Sequence, residues 1–492
     1  MKEYTNLLIL SGITILLIVL LEFLARKEII SKIVARKTLH ITTGFVVILA
    51  TFLINSFGIM VFIGLVFSLL NYILIKRKIL KQIDGNLTTH LGIFYYPLAF
   101  LIIVLIFWNV NKYILAFSFF IFSISDAAAG LVGTGAKIKR YLKIHGEPKT
   151  FNGLFATIIS SLLVLIFLRY TFYDYLNFIK YDFLSFLFLA LMTSIIAGIV
   201  EALSSKGTDN LYLPVVLAFI GFIFFHKGID LPNFLLASFL AFLISLISLK
   251  YKLLSLSGSF VTFILALFIF GLGSWTWTIP ILTFFILSSV LSKFSEFYRS
   301  KELNDVFNKG SKRDMFQVLA NGGVPLMISL LNYLFPDLTN WYFIYILSIA
   351  IAMADTWSTE IGTLFAKNIF LITNFARVEA GISGGISLVG TLGGLLGSIT
   401  ITFCAMLFHQ FLISDLIIIN IFATLGNLFD SFLGATLQVT YRCKKCWKMT
   451  EKLIHCDSST EYYKGLTFIN NDFVNFSSVL LLSKIYFLFL IL

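Results

Sequence analysis

Apolar runs of about 18 to 25 residues recur along the whole chain, each long enough to cross a bilayer core of about 30 Å as a helix. A helix is the one open segment that satisfies its own backbone hydrogen bonds in lipid. The pattern predicts sixteen spans: 5–24, 38–56, 58–75, 89–107, 112–133, 151–168, 183–203, 211–226, 232–249, 257–272, 276–292, 319–336, 342–366, 384–411, 415–437 and 473–491. The expected fold class is therefore all-α, a polytopic transmembrane protein of about 14–16 helices in two membrane domains, with no separate soluble domain. The opening MKEYTNLLILSGITILLIVLL lacks a basic n-region and a small-residue cleavage site, so it reads as the first span.

Composition sharpens this class. Hydrophobic residues make up 59% of the 492, charged residues 13%, and mean hydropathy is +0.94, far from the mixture of soluble domains. With these spans, the loops that start at 25, 76, 134, 204, 250, 293, 367 and 438 share one side and hold 31 of the 37 Lys and Arg. The positive-inside rule makes that side the cytoplasm and the protein a multi-pass one of the cell inner membrane. The net charge of +12 is then mostly a topology signal, with anionic lipid or nucleotide as secondary partners and nucleic acid not expected.

Against this background, acids inside apolar runs stand out, because charge in a bilayer is costly and is usually functional. In the first half, Asp126-Ala-Ala-Ala-Gly130 ends a span, and Gly133-Thr-Gly135 opens a basic loop that closes at Lys149-Thr150-x-x-Gly153. The seventh span ends in Glu201, and Lys206, Gly207, Asp209 and Asn210 follow it, together offering oxygen ligands for Mg2+ and phosphate contacts. Arg36 and His40, four apart, would share a helix face at the interface as anchoring charge and capping histidine. Gly92 and Tyr96-Pro97 predict a kink in the fourth span.

The second half repeats the theme with different motifs. Arg313-Asp314-x-x-Gln317 and Asn321 have helix spacing, so Asp314, Gln317 and Asn321 are expected to face one way. Asp355 and Glu360 lie five apart in one span, and Asp430 and Asp472 add two more acids. Gly381, Gly384-Gly385, Ser387 and Gly390 offer backbone N–H groups at a helix start, where phosphate can dock. Cys443, Cys446, His455 and Cys456 lie within fourteen residues and could hold Zn2+ tetrahedrally, while Cys404 reads as a small core residue.

Two resemblances follow from these residues. R-K-x-x-H at Arg36, D-A-A-A-G-L-V-G at Asp126, K-T-x-x-G at Lys149 and E-A-L-S-x-x-G-x-D-N-L-x-x-P at Glu201 resemble the phytol and dolichol kinase family of CTP-dependent polyprenol kinases. Where many relatives have Lys-Thr-x-Glu-Gly, this chain has Asn152 before Gly153. R-D-x-x-Q-V-x-A-N-G, A-D-T-W-S-x-E-x-G, G-G-x-S-x-x-G-T, D-S-x-x-G-A-T-x-Q and N-D-x-V-N, in that order, resemble the phytyl-phosphate kinase family of tocopherol biosynthesis. The resemblances divide the chain into 1–225, a connecting span 226–249, and 250–492. They imply a fusion that phosphorylates an isoprenoid alcohol with CTP or another nucleoside triphosphate and Mg2+, first to the monophosphate and then to the diphosphate. They suggest Asp126, Asp209, Asp355, Asp430 and Asp472 as Mg2+ ligands, and Glu201 and Glu360 as further catalytic carboxylates. Phosphate or nucleotide contacts would come from Gly130, Gly133, Lys149, Lys206, Gly207, Asn210, Arg313, Asn321, Gly384 and Gly385.

Neither half contains a Walker A loop or a protein-kinase signature, so any nucleotide site is embedded in the membrane domains. Two other readings of the same residues stay open. The first half could be a cytidylyltransferase acting on a lipid phosphate, and the chain could be a transporter with broken, glycine-rich helices.

Overall fold

The computed structural model describes residues 2–77, 91–142, 144, 148–176, 178–298 and 312–491. Of the basic loop residues, Lys78, Lys81, Lys143, Arg299, Lys301 and Lys309 lie outside them. The protein is a polytopic helical membrane protein. Among the described residues, fifteen helices are long and apolar enough to cross a membrane.

The chain divides into two compact units, Met1–Ile229 and Asp230–Leu492. The first holds α1 (Lys2–Arg26), α2 (Lys32–Leu53), α3 (Phe57–Lys76), α4 (Gly92–Asn111), α5 (Tyr113–Gly135), α6 (Phe151–Thr171), α7 (Phe183–Leu203) and α8 (Asp209–Ile220), the last continued by a π-helical turn, Gly221–Lys227. The second holds α9 (Leu231–Lys250), α10 (Leu256–Tyr298), α11 (Met315–Leu334), α12 (Trp341–Phe365), α13 (Leu388–Met406), α14 (Ile413–Thr436) and α15 (Asn471–Ile491). Two small antiparallel sheets interrupt the second unit: β1 (Phe370–Leu371) with β2 (Gly385–Ile386), and a sheet ordered β4-β3-β6-β5. The latter is built from β3 (Thr440–Cys443), β4 (Met449–Thr450), β5 (Ile454–His455) and β6 (Ser458–Lys464).

Local chemistry sets where the helices begin. Ser31, Ser56, Thr150, Asp182, Asp314 and Ser387 sit at N-caps and accept hydrogen bonds from first-turn N–H groups, which would otherwise be unpaired. Asp314 and Gln317 form a capping box: the Asp314 carboxylate accepts from the Phe316 and Gln317 N–H groups, and the Gln317 side chain accepts from the Asp314 N–H. Asp314 is thus spent on the cap, and only Gln317 and Asn321 line a cavity, which corrects the expectation that all three face one way. The expected span 384–411 is also corrected. Gly384 has φ +84°, outside the helical region, and Gly385 pairs in β2, so the helix starts at Leu388.

The two spans expected at 257–272 and 276–292 are limbs of α10, separated where Ser274 leaves helical geometry at φ 61°, ψ −160°. A straight helix of 43 residues would be about 65 Å long, twice the bilayer core. Just before the break, Asn233 of α9 donates its side-chain N–H groups to two carbonyls, Phe270 O at 3.2 Å and Gly271 O at 3.1 Å. Such satisfaction is obligatory in lipid.

Helix α5 is the most buried spanning helix of its unit and α12 of the other. Helix α12 packs closely on α13 through glycines. An added Cβ would lie 2.8 Å from Ala354 O at Gly394 and 3.1 Å from Met353 O at Gly397. Small residues are what permit close approach between membrane helices. Gly394→Val should therefore destabilise the purified protein by roughly 1–3 kcal/mol through overpacking. Gly12→Val, in open space on α1, should not. Thermal unfolding of both variants in detergent checks this, and equal midpoints would refute the packing account.

Candidate functional site

Each unit gathers polar residues at one end of its helices, around a cavity of its own. In the first unit the cavity measures about 480 Å3. One end is ionic, lined by Arg36, Lys37, Lys139 and Lys149 against Asp126, Glu201 and Asp209. The other is apolar, with Leu10, Ile18, Val47, Ile63, Phe67 and Phe100 among its walls.

Buried Asp126 is held from α2. Lys37 Nζ donates to Asp126 Oδ2 at 2.7 Å and to the Asp126 carbonyl at 3.0 Å, and His40 Nδ1 lies 3.0 Å from the same carboxylate oxygen. The rings of Tyr96 and Phe122 pack edge-on against His40, each with its centroid 5.0 Å away. His40 is thus buried inside α2 beside Lys37, which corrects the expectation of a capping histidine at the interface, while Arg36 is exposed. Burial is affordable because the lysine charge has a partner. Gly130 leaves room for this lysine, since a Cβ there would lie 2.3 Å from Lys37 Cε.

A second ionic cluster forms where α6, α7 and α8 meet. Lys149 Nζ donates to Glu201 Oε1 at 2.6 Å and lies 3.6 Å from Asp209 Oδ2. Burial works against the Lys149 charge, but Asp209 and Glu201 outweigh it and hold the ammonium above its usual range. Lys149 therefore stays charged throughout the physiological range. Thr150 caps α6 by accepting from the Gly153 N–H at 3.1 Å, and Gly133 packs against that hydroxyl. Gly207, at φ +80°, passes so close to α4 that a Cβ would meet Gly92 backbone at 2.7 Å. Asn210 locks the contact by donating to Gly92 O at 2.9 Å. Gly207 and Asn210 thus line the cavity while fixing its wall. Lys206 is exposed and does not line it.

The second unit's cavity measures about 300 Å3 and is strongly acidic. Glu296, Asp355, Glu360, Asp430, Glu451 and Asp472 line it, with Arg313 as the one cationic side chain among its described lining residues. Asp355 accepts from Asn475 Nδ2 at 3.2 Å, and Asp430 from Ser478 Oγ at 3.1 Å, both donors on α15. Among the described residues neither aspartate has an ion-pair partner. Arg313 is buried, its guanidinium 5.7 Å from the Phe284 ring centroid. Its backbone is pinned by Ser255, which donates to Arg313 O at 2.9 Å, and by Leu253 O, which accepts from Arg313 N at 3.0 Å. Asn321 donates to Gln317 O at 3.0 Å, while its buried Oδ1 has no hydrogen-bond donor among the described residues. Gly384 fits under Ala435, where a Cβ would lie 2.4 Å from the alanine's own. Gln438 Nε2 and Ser383 Oγ both donate to Glu451 Oε1, at 2.6 and 3.2 Å.

Of the residues singled out from sequence, Asp126, Gly130, Gly133, Lys149, Glu201, Gly207, Asp209 and Asn210 meet at the first cavity. Arg313, Asn321, Asp355, Glu360, Gly384, Gly385, Asp430 and Asp472 meet at the second. Cys443, Cys446, His455 and Cys456 form a separate cluster. Glu296 and Glu451 were not singled out, and Lys37 and Thr150 entered only as members of motifs, without a role of their own. For Lys37 the signal was available: it is three residues from His40 and so shares its helix face.

A polytopic membrane protein with acid-lined cavities is the class these features define. The family model described as integral membrane protein DUF92 matches residues 239–483. Protein PGR of Arabidopsis thaliana is 30% identical over 281 residues, 51% of this chain and 95% of that protein. The chain belongs to this family of integral membrane proteins. An uncharacterized membrane protein of Methanocaldococcus jannaschii is 36% identical over 165 residues, 32% of this chain and 64% of its own length. Protein VTE6, chloroplastic, of Arabidopsis thaliana is 32% identical over 94 residues, 19% of this chain and 28% of that protein. No solved structure matches the chain.

The Lys37–Asp126 contact yields a stability test. Lys37→Met leaves a buried carboxylate unpaired and should cost about 3–5 kcal/mol. The double variant with Asp126→Asn should recover most of that loss. Denaturation of the purified single and double variants measures the coupling, and additive losses would show that the pair is not what stabilises this end.

Proposed function

We propose that this chain is a bifunctional isoprenoid-alcohol kinase. The first unit transfers the γ-phosphoryl of CTP to a prenol of the phytol or geranylgeraniol type, releasing CDP. The second transfers a phosphoryl group from a nucleoside triphosphate to the resulting monophosphate, giving the diphosphate. Carrying this reading is one observation: each unit has its own carboxylate-lined cavity, and the first joins an ionic end to an apolar wall. An isoprenoid alcohol has that same division of polarity.

Phosphoryl transfer asks a protein mainly for positioning and for charge placed on the phosphates. In the first cavity Lys37 and Lys149 are bound to carboxylates, so an entering triphosphate would exchange partners with them. The lysines turn to phosphate oxygens, and Asp126 and Asp209 become available to Mg2+, while Glu201 orients the alcohol and takes its proton. Among its described lining residues the second cavity carries six carboxylates and one arginine, a bias that suits a phosphate arriving with cations. Asp355 and Asp430, which accept hydrogen bonds only from neutral groups among the described residues, are the fitting Mg2+ ligands, supported by Asp472 and Glu360. Magnesium would neutralise phosphate charge there. Arg313 clamps the phosphate and Asn321 Oδ1 awaits a donor, while Gly384 and Gly385 border the loop. The acceptor is already anionic, so this half needs no general base.

The charge bias of the loops supports an inner-membrane protein with both sites on the cytoplasmic face. Purified protein in detergent, given geranylgeraniol, Mg2+ and each nucleoside triphosphate in turn, should yield mono- and diphosphate. Glu201→Gln should lower the first reaction at least about 100-fold and spare the second, and Asp355→Asn should do the reverse. Pyrophosphate in place of CDP would instead identify a cytidylyltransferase. Uptake into vesicles without nucleotide turnover would identify a transporter.

A further inference from the structure

The sheet of the second unit carries a cluster that neither cavity uses. The β3–β4 turn presents Cys443 and Cys446, and the β5–β6 turn presents His455 and Cys456. Strands β3 and β6 pair, bringing the two turns together. The three sulfurs and a ring nitrogen of His455 all lie within 4.8 Å of one another. His455 Nδ1 is 3.5 Å from Cys446 Sγ and 3.2 Å from Cys456 Sγ. Zinc bonds of about 2.3 Å to sulfur and 2.0–2.1 Å to nitrogen imply tetrahedron edges of about 3.6 Å between N and S. The cluster therefore already approximates the ligand shell.

Other details agree. The Lys445 N–H donates to Cys443 Sγ at 3.4 Å, as backbone amides do to metal-bound thiolates. Trp447, Cys456 and Asp457 all have positive φ, at 61°, 50° and 53°. Such backbone persists only where the surroundings hold it. All three cysteines are free thiols. Three thiolates and a neutral imidazole would leave a zinc site with one negative charge, among Arg442, Lys444, Lys445 and Lys448.

We propose that Cys443, Cys446, His455 and Cys456 bind one structural Zn2+, and that this ion fastens the wall of the acidic cavity. Four protein ligands close the coordination shell, so the metal is structural rather than catalytic. The link to the wall runs through Glu451, one residue beyond β4, whose carboxylate accepts from Gln438 and from Ser383 beside Gly384. Lys464, at the end of β6, donates to Ala435 O at 2.7 Å on the other side of that loop. Locking the two turns together with zinc fixes where Glu451 stands. The proposal does not depend on the phosphoryl-transfer reading.

Metal analysis of the full-length protein, purified without a metal-chelating tag from zinc-supplemented cells, should give one zinc per chain. Cys446→Ser and Cys456→Ser, both at exposed positions, should each lower zinc at least tenfold. To separate lost binding from lost folding, chelated wild-type protein titrated with Co2+ should develop the visible absorption of a tetrahedral thiolate site, bleached by added Zn2+. Zinc-free wild-type protein with no Co2+ spectrum would overturn the site, as would two oxidised cysteines by thiol counting. For the fastening, hydrogen exchange of 381–386 should speed up on chelation together with that of 440–464, and Glu451→Gln should uncouple the two while keeping the zinc. Faster exchange confined to 440–464 would overturn the fastening.

Discussion

A carboxylate within a membrane helix is the constraint around which each unit is arranged, because lipid supplies no water to solvate it. The two units meet this constraint differently. The first supplies counter-charges from its own chain: Lys37 on α2 for Asp126 on α5, and Lys149 before α6 for Glu201 on α7. These pairs link elements far apart in sequence, so they decide which helix ends come together. The second supplies amide and hydroxyl donors from α15 to Asp355 and Asp430, which have no ion-pair partner among the described residues.

Glycine is the complement of this charge placement. Gly130 makes space for the lysine that neutralises Asp126, Gly207 lets a loop press on the start of α4, and Gly384 tucks under Ala435. Each is a place where backbone or a cation must come closer than a Cβ allows. A glycine-rich motif beside an acid here shapes the wall of a cavity as well as exposing N–H groups.

Most of the helix order was legible because bilayer thickness writes itself into the length of apolar runs. The break in α10 was legible too, as two spans with Gly273 and Ser274 between them. The acids were visible as polar residues out of place in apolar sequence. Their partners were harder to read. Lys37 lies in a cluster of basic residues that topology alone would explain, and only Asp126, 89 residues away, gives it a specific role. Glu451 and Glu296 lie in polar stretches where an acid is unremarkable, and it is tertiary folding that brings them to the cavity. The capping role of Asp314 was missed because a polar residue before a helix can equally be a ligand or a cap, and the strand at Gly385 because it depends on pairing with Leu371, which an apolar run does not reveal.

The break in α10 also bears on how the protein is made. The turn from Gly271 to Trp275 contains no charged residue, so no hydrophilic loop holds the limbs apart while the chain enters the bilayer. Limbs joined this tightly would be expected to insert as a hairpin. The carbonyls of Phe270 and Gly271 lie just before the break, and the residue that donates to them, Asn233, has by then already left the ribosome. Sequence order thus gives this membrane its cap before it gives the break.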